Sequence, residues 1–96
     1  MSDAEGPSPK LPELVGQQVV VDTRGPFVYI GRLESWHPDC LVLADVDVHN
    51  TADSKTVTDL YLIQSLKHGV RANRRRVHVM GREVVSVSLL SEIIPY

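Results

Sequence analysis

The sequence is poor in cysteine and in aromatic residues, and each shortage excludes a class of structure. Cys40 is the only cysteine among the 96 residues, so neither an intramolecular disulfide nor a thiolate-rich metal site can form. Because Phe, Tyr and Trp together make up 5% of the chain, valine, leucine and isoleucine must fill most of the interior. Abundant valine favours pleated strands over helices.

The beginning of the sequence has no apolar segment. Residues 1–10 are small, polar and proline-containing, which predicts a disordered tail rather than a signal peptide or a membrane span. Together with the lone cysteine, this composition indicates the cytoplasm and no membrane partner. We expect one small domain at residues 11–96, for which association with copies of itself would add stability. The net charge of −2 argues against nucleic-acid binding through overall charge but leaves local patches open.

Short strands separated by turn residues follow a helical turn at residues 11–15, where Pro12 suits the first helical position. The β-branched runs and the turn signals between them predict five strands, at residues 17–23, 27–36, 40–48, 77–80 and 84–88. Gly31 lies inside the second strand, where a glycine commonly marks a bulge or a sharp bend. A strongly bent strand is what a small barrel needs in order to close.

An insertion at about residues 51–75 separates the third predicted strand from the fourth. Within it, Thr56 or Thr58 could cap a helix, Asp59 suits its first turn, and Gly69 suits the position past its end. These signals predict a helix over residues 56–68. The β-branched and aromatic content of the same segment leaves a strand as the alternative.

The glycines and apolar residues of the first three strands resemble the first motif of the Sm/LSm family. That motif has a glycine after a short helix, alternating apolar residues, a turn glycine, and a further glycine followed two residues later by a hydrophobic residue. Here these positions are filled by Gly16, Val19, Val21, Gly25, Gly31 and Leu33. Residues 41–46 are similar to the third strand of the motif, and residues 77–87 match the second Sm motif around Gly81 and Arg82.

The resemblance covers roughly Leu11 to Ile94 and implies a fold. It implies a mainly β protein, a strongly bent five-stranded antiparallel Sm-like (SH3-like) barrel with a short N-terminal helix and a helical insertion between strands 3 and 4. Family members commonly build rings in which the fourth strand pairs with the fifth strand of the neighbour. We therefore expect a homo-oligomer, either a ring or a dimer.

The residues of the family's RNA pocket are replaced in this chain. In RNA-binding Sm proteins, the loop before the third strand supplies an aspartate and an asparagine, and the second motif supplies an arginine before its glycine. Here His37 and Cys40 stand nearest the two loop positions, and Met80 replaces the arginine. The resemblance thus describes a divergent, bacterial-type member that lacks the usual uridine site.

Basic residues crowd one stretch next to the insertion, between positions 67 and 76, while the rest of the chain is net acidic. Arginine forks suit phosphate oxygens, and several together predict salt-dependent binding of RNA or another nucleic-acid backbone without base readout. The candidate contacts are Lys67, Arg71, Arg74, Arg75 and Arg76. The alternative is a solvated face, or ion pairs with Asp45, Asp47 and Asp53.

Sequence motifs for catalysis or cofactor binding are missing: no nucleophile elbow, phosphate loop, dinucleotide fingerprint or His-Glu metal helix is present. His37, Asp39 and Cys40 match no closed zinc spacing. We therefore expect no enzyme activity, cofactor, metal or small-molecule substrate. Two functions stay open: an oligomeric assembly module that binds nucleic acid, and a protein-interaction scaffold without a nucleic-acid ligand.

Overall fold

Five antiparallel strands form one sheet in the computed structural model, which describes residues 10–52 and 58–95. A 3₁₀ turn at Leu11–Leu14 comes first. The strands and the helix follow in the order β1 (Gln18–Thr23), β2 (Phe27–His37), β3 (Cys40–Asn50), α1 (Thr58–His68), β4 (Arg74–Met80) and β5 (Val84–Leu89). The order across the sheet is β4-β3-β2-β1-β5, so β4 and β5 are its two edges.

The five predicted strands are all present, and the fourth is longer than predicted. β4 begins at Arg74 because Arg74 and Arg76 pair with Val46 and Ala44 of β3. The predicted N-terminal helix is a single 3₁₀ turn, and the helix predicted over residues 56–68 is observed at Thr58–His68. The tail predicted at residues 1–10 lies outside the described residues except for Lys10. No helix that the structure describes is long and apolar enough to cross a bilayer.

The sheet has a bulge where β2 and β3 pass Gly31. The paired residues shift there from Ile30 opposite Asp47 to Arg32 opposite Ala44, so Gly31 faces two residues of β3. One of these two, Asp45, has a φ of 52°. A Cβ atom on Gly31 would lie 3.1 Å from the Ala44 carbonyl oxygen and from Val46 Cγ2, so a larger residue would force the strands apart. The bulge or bend predicted from this glycine is confirmed.

A separate cluster of apolar side chains packs on each face of the sheet. The cluster on the inner face, here called the barrel core, contains Leu14, Val19, Val21, Leu33, Leu41, Leu43, Val46, Val79 and Leu89. The cluster on the outer face, here called the helix core, contains Val20, Val28, Ile30, Leu62 and Leu90. Leu62 belongs to α1, so the helix is held against the outer face of β1 and β2 by hydrophobic burial. The two clusters explain why Val19, Val20 and Val21 are all buried in one strand.

Candidate nucleic-acid interface and the adjacent cleft

The predicted basic residues are all exposed, but they do not share one face. Lys67 lies at the end of α1, and Arg71 lies in the loop before β4. Within β4, side chains alternate between the two faces. Because Val77 and Val79 pack towards the barrel core, Arg75 points to that side and its two neighbours point to the other. The structure therefore splits the predicted cluster in two.

Arg76 forms an ion pair with Glu34. Its Nε donates to Glu34 Oε1 at 2.8 Å, and its Nη2 donates to Glu34 Oε2 at 3.2 Å. These bonds from Arg76 hold the pKa of Glu34 below its ordinary range, and Glu34 raises the pKa of Arg76. Of the carboxylates expected to pair with the cluster, Asp45 instead accepts from Arg32 at 2.9 Å, and Asp53 lies outside the described residues.

Asn73 fixes the loop between α1 and β4 to β3. Its backbone N–H donates to the Val46 carbonyl at 2.8 Å, and its Nδ2 donates to Asp47 Oδ1 and to the Val48 carbonyl, both at 3.2 Å. Its Oδ1 accepts from the Val48 N–H at 3.1 Å. This anchor fixes the loop that carries Arg71 and the start of β4 at Arg74. The sequence offered no signal for it beyond a lone asparagine among arginines.

The three residues predicted from the resemblance to replace the RNA-pocket residues lie in one row across the sheet. His37 pairs with Cys40 across the β2–β3 turn, and Cys40 pairs with Met80 of β4. His37 Nε2 lies 3.0 Å from Ser35 Oγ, and Met80 is 41% exposed. No carboxylate, amide or guanidinium is present at these three positions. Nowhere in residues 10–52 or 58–95 are three or more His, Cys, Asp or Glu side chains grouped to hold a metal ion.

A cleft of about 520 Å³ opens between α1, the second half of β3 and the loop before β4. This volume lies within the usual range of small-molecule sites. The cleft is lined by Asp47, Tyr61, Gln64, Ser65, His68 and Arg71. Of these, Arg71 was predicted as a phosphate contact and Asp47 as an ion-pair partner of the basic cluster. Sequence reasoning missed the cleft, because it exists only when α1 folds back onto the sheet.

Tyr61 and His49 form the buried side of this region. Their rings stack with centroids 3.8 Å apart and an interplanar angle of 14°. Tyr61 Oη and His49 Nε2 are both buried, and neither has a hydrogen-bond partner among the residues that the structure describes. Burial, and after it the neighbouring Asp47 carboxylate, raise the pKa of Tyr61. Tyr61 therefore stays a neutral phenol close to the Asp47 carboxylate.

Neither a protein-family model nor a curated protein matches this sequence. Solved structures, by contrast, are similar to the structure of this chain. The Sm protein of Pyrococcus abyssii in complex with a uridine heptamer has a TM-score of 0.54 and 19% identity, over 79% of this chain and 86% of that one. A chain of the NatC complex bound to CoA has a TM-score of 0.56 and 17% identity, over 86% and 87%. A chain of the NatC complex bound to Gag peptide and CoA has a TM-score of 0.54 and 17% identity, over 83% and 90%.

These similarities establish the fold class. The chain has the Sm-like β-barrel fold, as its motifs indicated. In this chain a helix packs on the outer face between β3 and β4, and His37, Cys40 and Met80 stand where the sequence resemblance predicts the uridine-pocket positions.

Proposed function

We propose that the chain is an Sm-like assembly module that associates with copies of itself and binds the phosphate backbone of RNA or another nucleic acid. The main observation that supports self-association is that both edge strands of the sheet, β4 and β5, are open. Within the described part of the chain, β4 pairs only with β3, and β5 pairs only with β1. An open edge has unpaired N–H and C=O groups, and head-to-tail pairing of β4 with β5 of another copy satisfies them.

The side chains of both edges support this pairing. Val77 and Val79 of β4, and Val84 and Val87 of β5, belong to or pack against the barrel core. Pairing would extend that core from one subunit to the next. Val85 of β5 is 65% exposed in the single chain and would gain burial only through a partner.

Mass determination in solution tests the assembly. We expect an oligomer at micromolar concentration, either a ring or a dimer. Val85→Lys should shift the mass towards the monomer, because charge on an edge strand opposes edge-to-edge pairing. Ile94→Lys is the matched control, since Ile94 is 60% exposed and lies outside the strands. A wild-type monomer at that concentration would rule out the assembly.

Four basic side chains support the proposed binding of nucleic acid. Arg76 is held by Glu34, whereas no carboxylate in the described part of the chain pairs with Lys67, Arg71, Arg74 or Arg75. Several such cations, repeated in each subunit of an oligomer, favour backbone binding that depends on salt. The Sm protein of Pyrococcus abyssii holds a uridine heptamer. Because the pocket positions differ here, we propose binding without a preference for uridine.

Fluorescence anisotropy with single-stranded RNA over a salt series tests this binding. Arg74→Ala with Arg75→Ala should weaken binding at low salt. It should lower the slope of log affinity against log salt by about 0.7 for each phosphate contact that is lost. Arg24→Ala with Arg82→Ala is the matched control, because it removes the same charge from turn residues outside the cluster. No binding at low salt, or equal effects of the two pairs, contradicts the proposal.

A protein-interaction scaffold without a nucleic-acid ligand is the second candidate. It is favoured by the similarity to chains of the NatC complex, and by the lack of a carboxylate, amide or guanidinium group at His37, Cys40 and Met80. An oligomer that purifies free of nucleic acid and binds no RNA would select it. Under either candidate, we propose that the chain has no catalytic activity of its own and acts in the cytoplasm.

A further inference from the structure

The only two sulfur atoms in the described part of the chain belong to residues that lie side by side. Cys40 begins β3 and Met80 ends β4, and the two are directly paired across the sheet. The next pair, Leu41 and Val79, points into the barrel core. Because side chains alternate along a strand, the thiol and the thioether project from the outer face. Met80 is 41% exposed, so burial in the core does not account for it.

An imidazole extends this row on the other side of Cys40. His37 pairs with Cys40 across the β2–β3 turn, so the two side chains share the outer face. The His37 Nε2 atom lies 3.0 Å from the Ser35 hydroxyl oxygen. When Nε2 carries the proton and donates it to Ser35, Nδ1 has a lone pair for a metal ion. Histidine ligands are ordinarily oriented in this way, by a hydrogen bond from the other ring nitrogen.

The backbone holds these three side chains next to one another. Directly opposed residues on neighbouring strands have Cβ atoms about 4.5–5.5 Å apart. Metal–sulfur bonds of about 2.3 Å place two sulfur ligands of one ion about 4 Å apart, a spacing that the flexible Met80 side chain can reach from its position. The Gly81 N–H donates to the Asp39 carbonyl at 2.8 Å, which ties the β2–β3 turn to the end of β4. The three donors are therefore grouped by the fold itself.

We infer that His37, Cys40 and Met80 form a binding site for monovalent copper, Cu(I). Thiolate and thioether sulfur select soft metal ions, and imidazole is a good copper ligand. Structural zinc sites instead use four ligands drawn from cysteine, histidine and carboxylates. No three such groups meet in the described part of the chain. One nitrogen and two sulfur donors, of which one is a thioether, therefore suit Cu(I) rather than zinc or a hard cation.

Binding exchanges one proton for one ion. The Cys40 thiol releases its proton to solvent as its thiolate binds Cu(I), and the copper keeps its oxidation state. Affinity should therefore rise with pH. The site lies at the end of β3 opposite the insertion, so it goes beyond the proposed binding of nucleic acid and does not depend on it.

An anaerobic titration of the full-length protein with Cu(I), supplied as its coloured bicinchoninate complex, tests the site. The protein should take one Cu(I) per chain from the chelator, which is measured as loss of the colour of the complex. No transfer of copper to the protein overturns the inference. One ion for two chains also overturns it, because the ion would then be shared between the cysteines of two copies.

Two variants separate the three-residue site from a cysteine that binds copper alone. Met80→Leu and His37→Gln should each weaken Cu(I) binding by about tenfold or more, since even the loss of an outer-shell partner of a metal site costs that much. His68→Gln is the matched control, because it removes an exposed imidazole at the end of α1, and it should bind Cu(I) as wild type does. Unchanged affinity in either Met80→Leu or His37→Gln overturns the inference.

X-ray absorption at the copper edge tests the same ligands without any substitution. The loaded wild-type protein should show two sulfur ligands and one nitrogen ligand for each copper ion. Copper bound by sulfur alone, or by nitrogen and oxygen alone, contradicts the assignment. A chain that takes up Cu(I) but binds no RNA removes only the proposed nucleic-acid binding. A chain that binds RNA but takes up no Cu(I) removes only the copper site.

Discussion

The two ends of β3 have different surfaces. At the end near Cys40, the row of His37, Cys40 and Met80 is without carboxylate, amide or guanidinium groups, although the sequence resemblance predicts the uridine-pocket positions there. At the other end, Asp47 lies under α1 beside a buried phenol and an arginine. A carboxylate, a phenol and a guanidinium thus border the end of β3 that carries the insertion.

The bulge at Gly31 produces this difference. Leu41 and Leu43 point into the barrel core, and simple alternation would send residues 45 and 47 there as well. The extra residue at the bulge reverses the order, so Val46 enters the core and Asp47 faces α1 instead. One glycine therefore decides which face of the sheet receives the carboxylate.

The largest expected effect follows from removing that glycine. Gly31→Val should destabilise the fold by about 3 kcal/mol, because its side chain would overlap the Ala44 carbonyl and Val46. Urea unfolding measures the loss. Gly25→Ala is the control, since a Cβ at that position meets nothing within 4 Å. Equal midpoints for the two variants would refute the packing explanation of the bulge.

A somewhat smaller loss of folding stability is expected from a substitution in the helix core. Leu62→Ala should cost about 2 kcal/mol, since Leu62 is buried between α1 and the sheet. Leu60→Ala, on the same helix at 49% exposure, should change unfolding by less than about 0.5 kcal/mol. Equal losses in the two variants would show that α1 is not held through Leu62.

The smallest effect on stability is expected from the ion pair between Arg76 and Glu34. Since the folded pKa of Glu34 is lowered from its ordinary value of 4.5, the pair stabilises the fold above that pH. The stabilisation is lost as the pH falls through the lowered value. The melting temperature of wild type should exceed that of Glu34→Gln at pH 7, and the difference should vanish in acid. A Glu34→Gln difference that persists at pH 2 would contradict this assignment.

Much of the fold was predictable because it is written in local signals. The turn residues, the β-branched runs and Gly31 predicted the strands and the bulge, and Gly69 correctly marked the end of α1. The site was less predictable, since its contacts join distant residues. Arg76 and Glu34 are 42 positions apart, and Asn73 and Asp47 are 26 apart. No local pattern reveals such pairs, because they depend on how the strands register after the bulge.

A comparison of RNA affinities between variants of the two ends tests the central claim most directly. Anisotropy at low salt would be measured for Arg74→Ala with Arg75→Ala and for His37→Ala with Met80→Ala. If nucleic acid is bound beside the insertion, the arginine pair loses affinity and the pocket pair keeps that of wild type. The reverse result would place binding at the family's usual position and contradict the account.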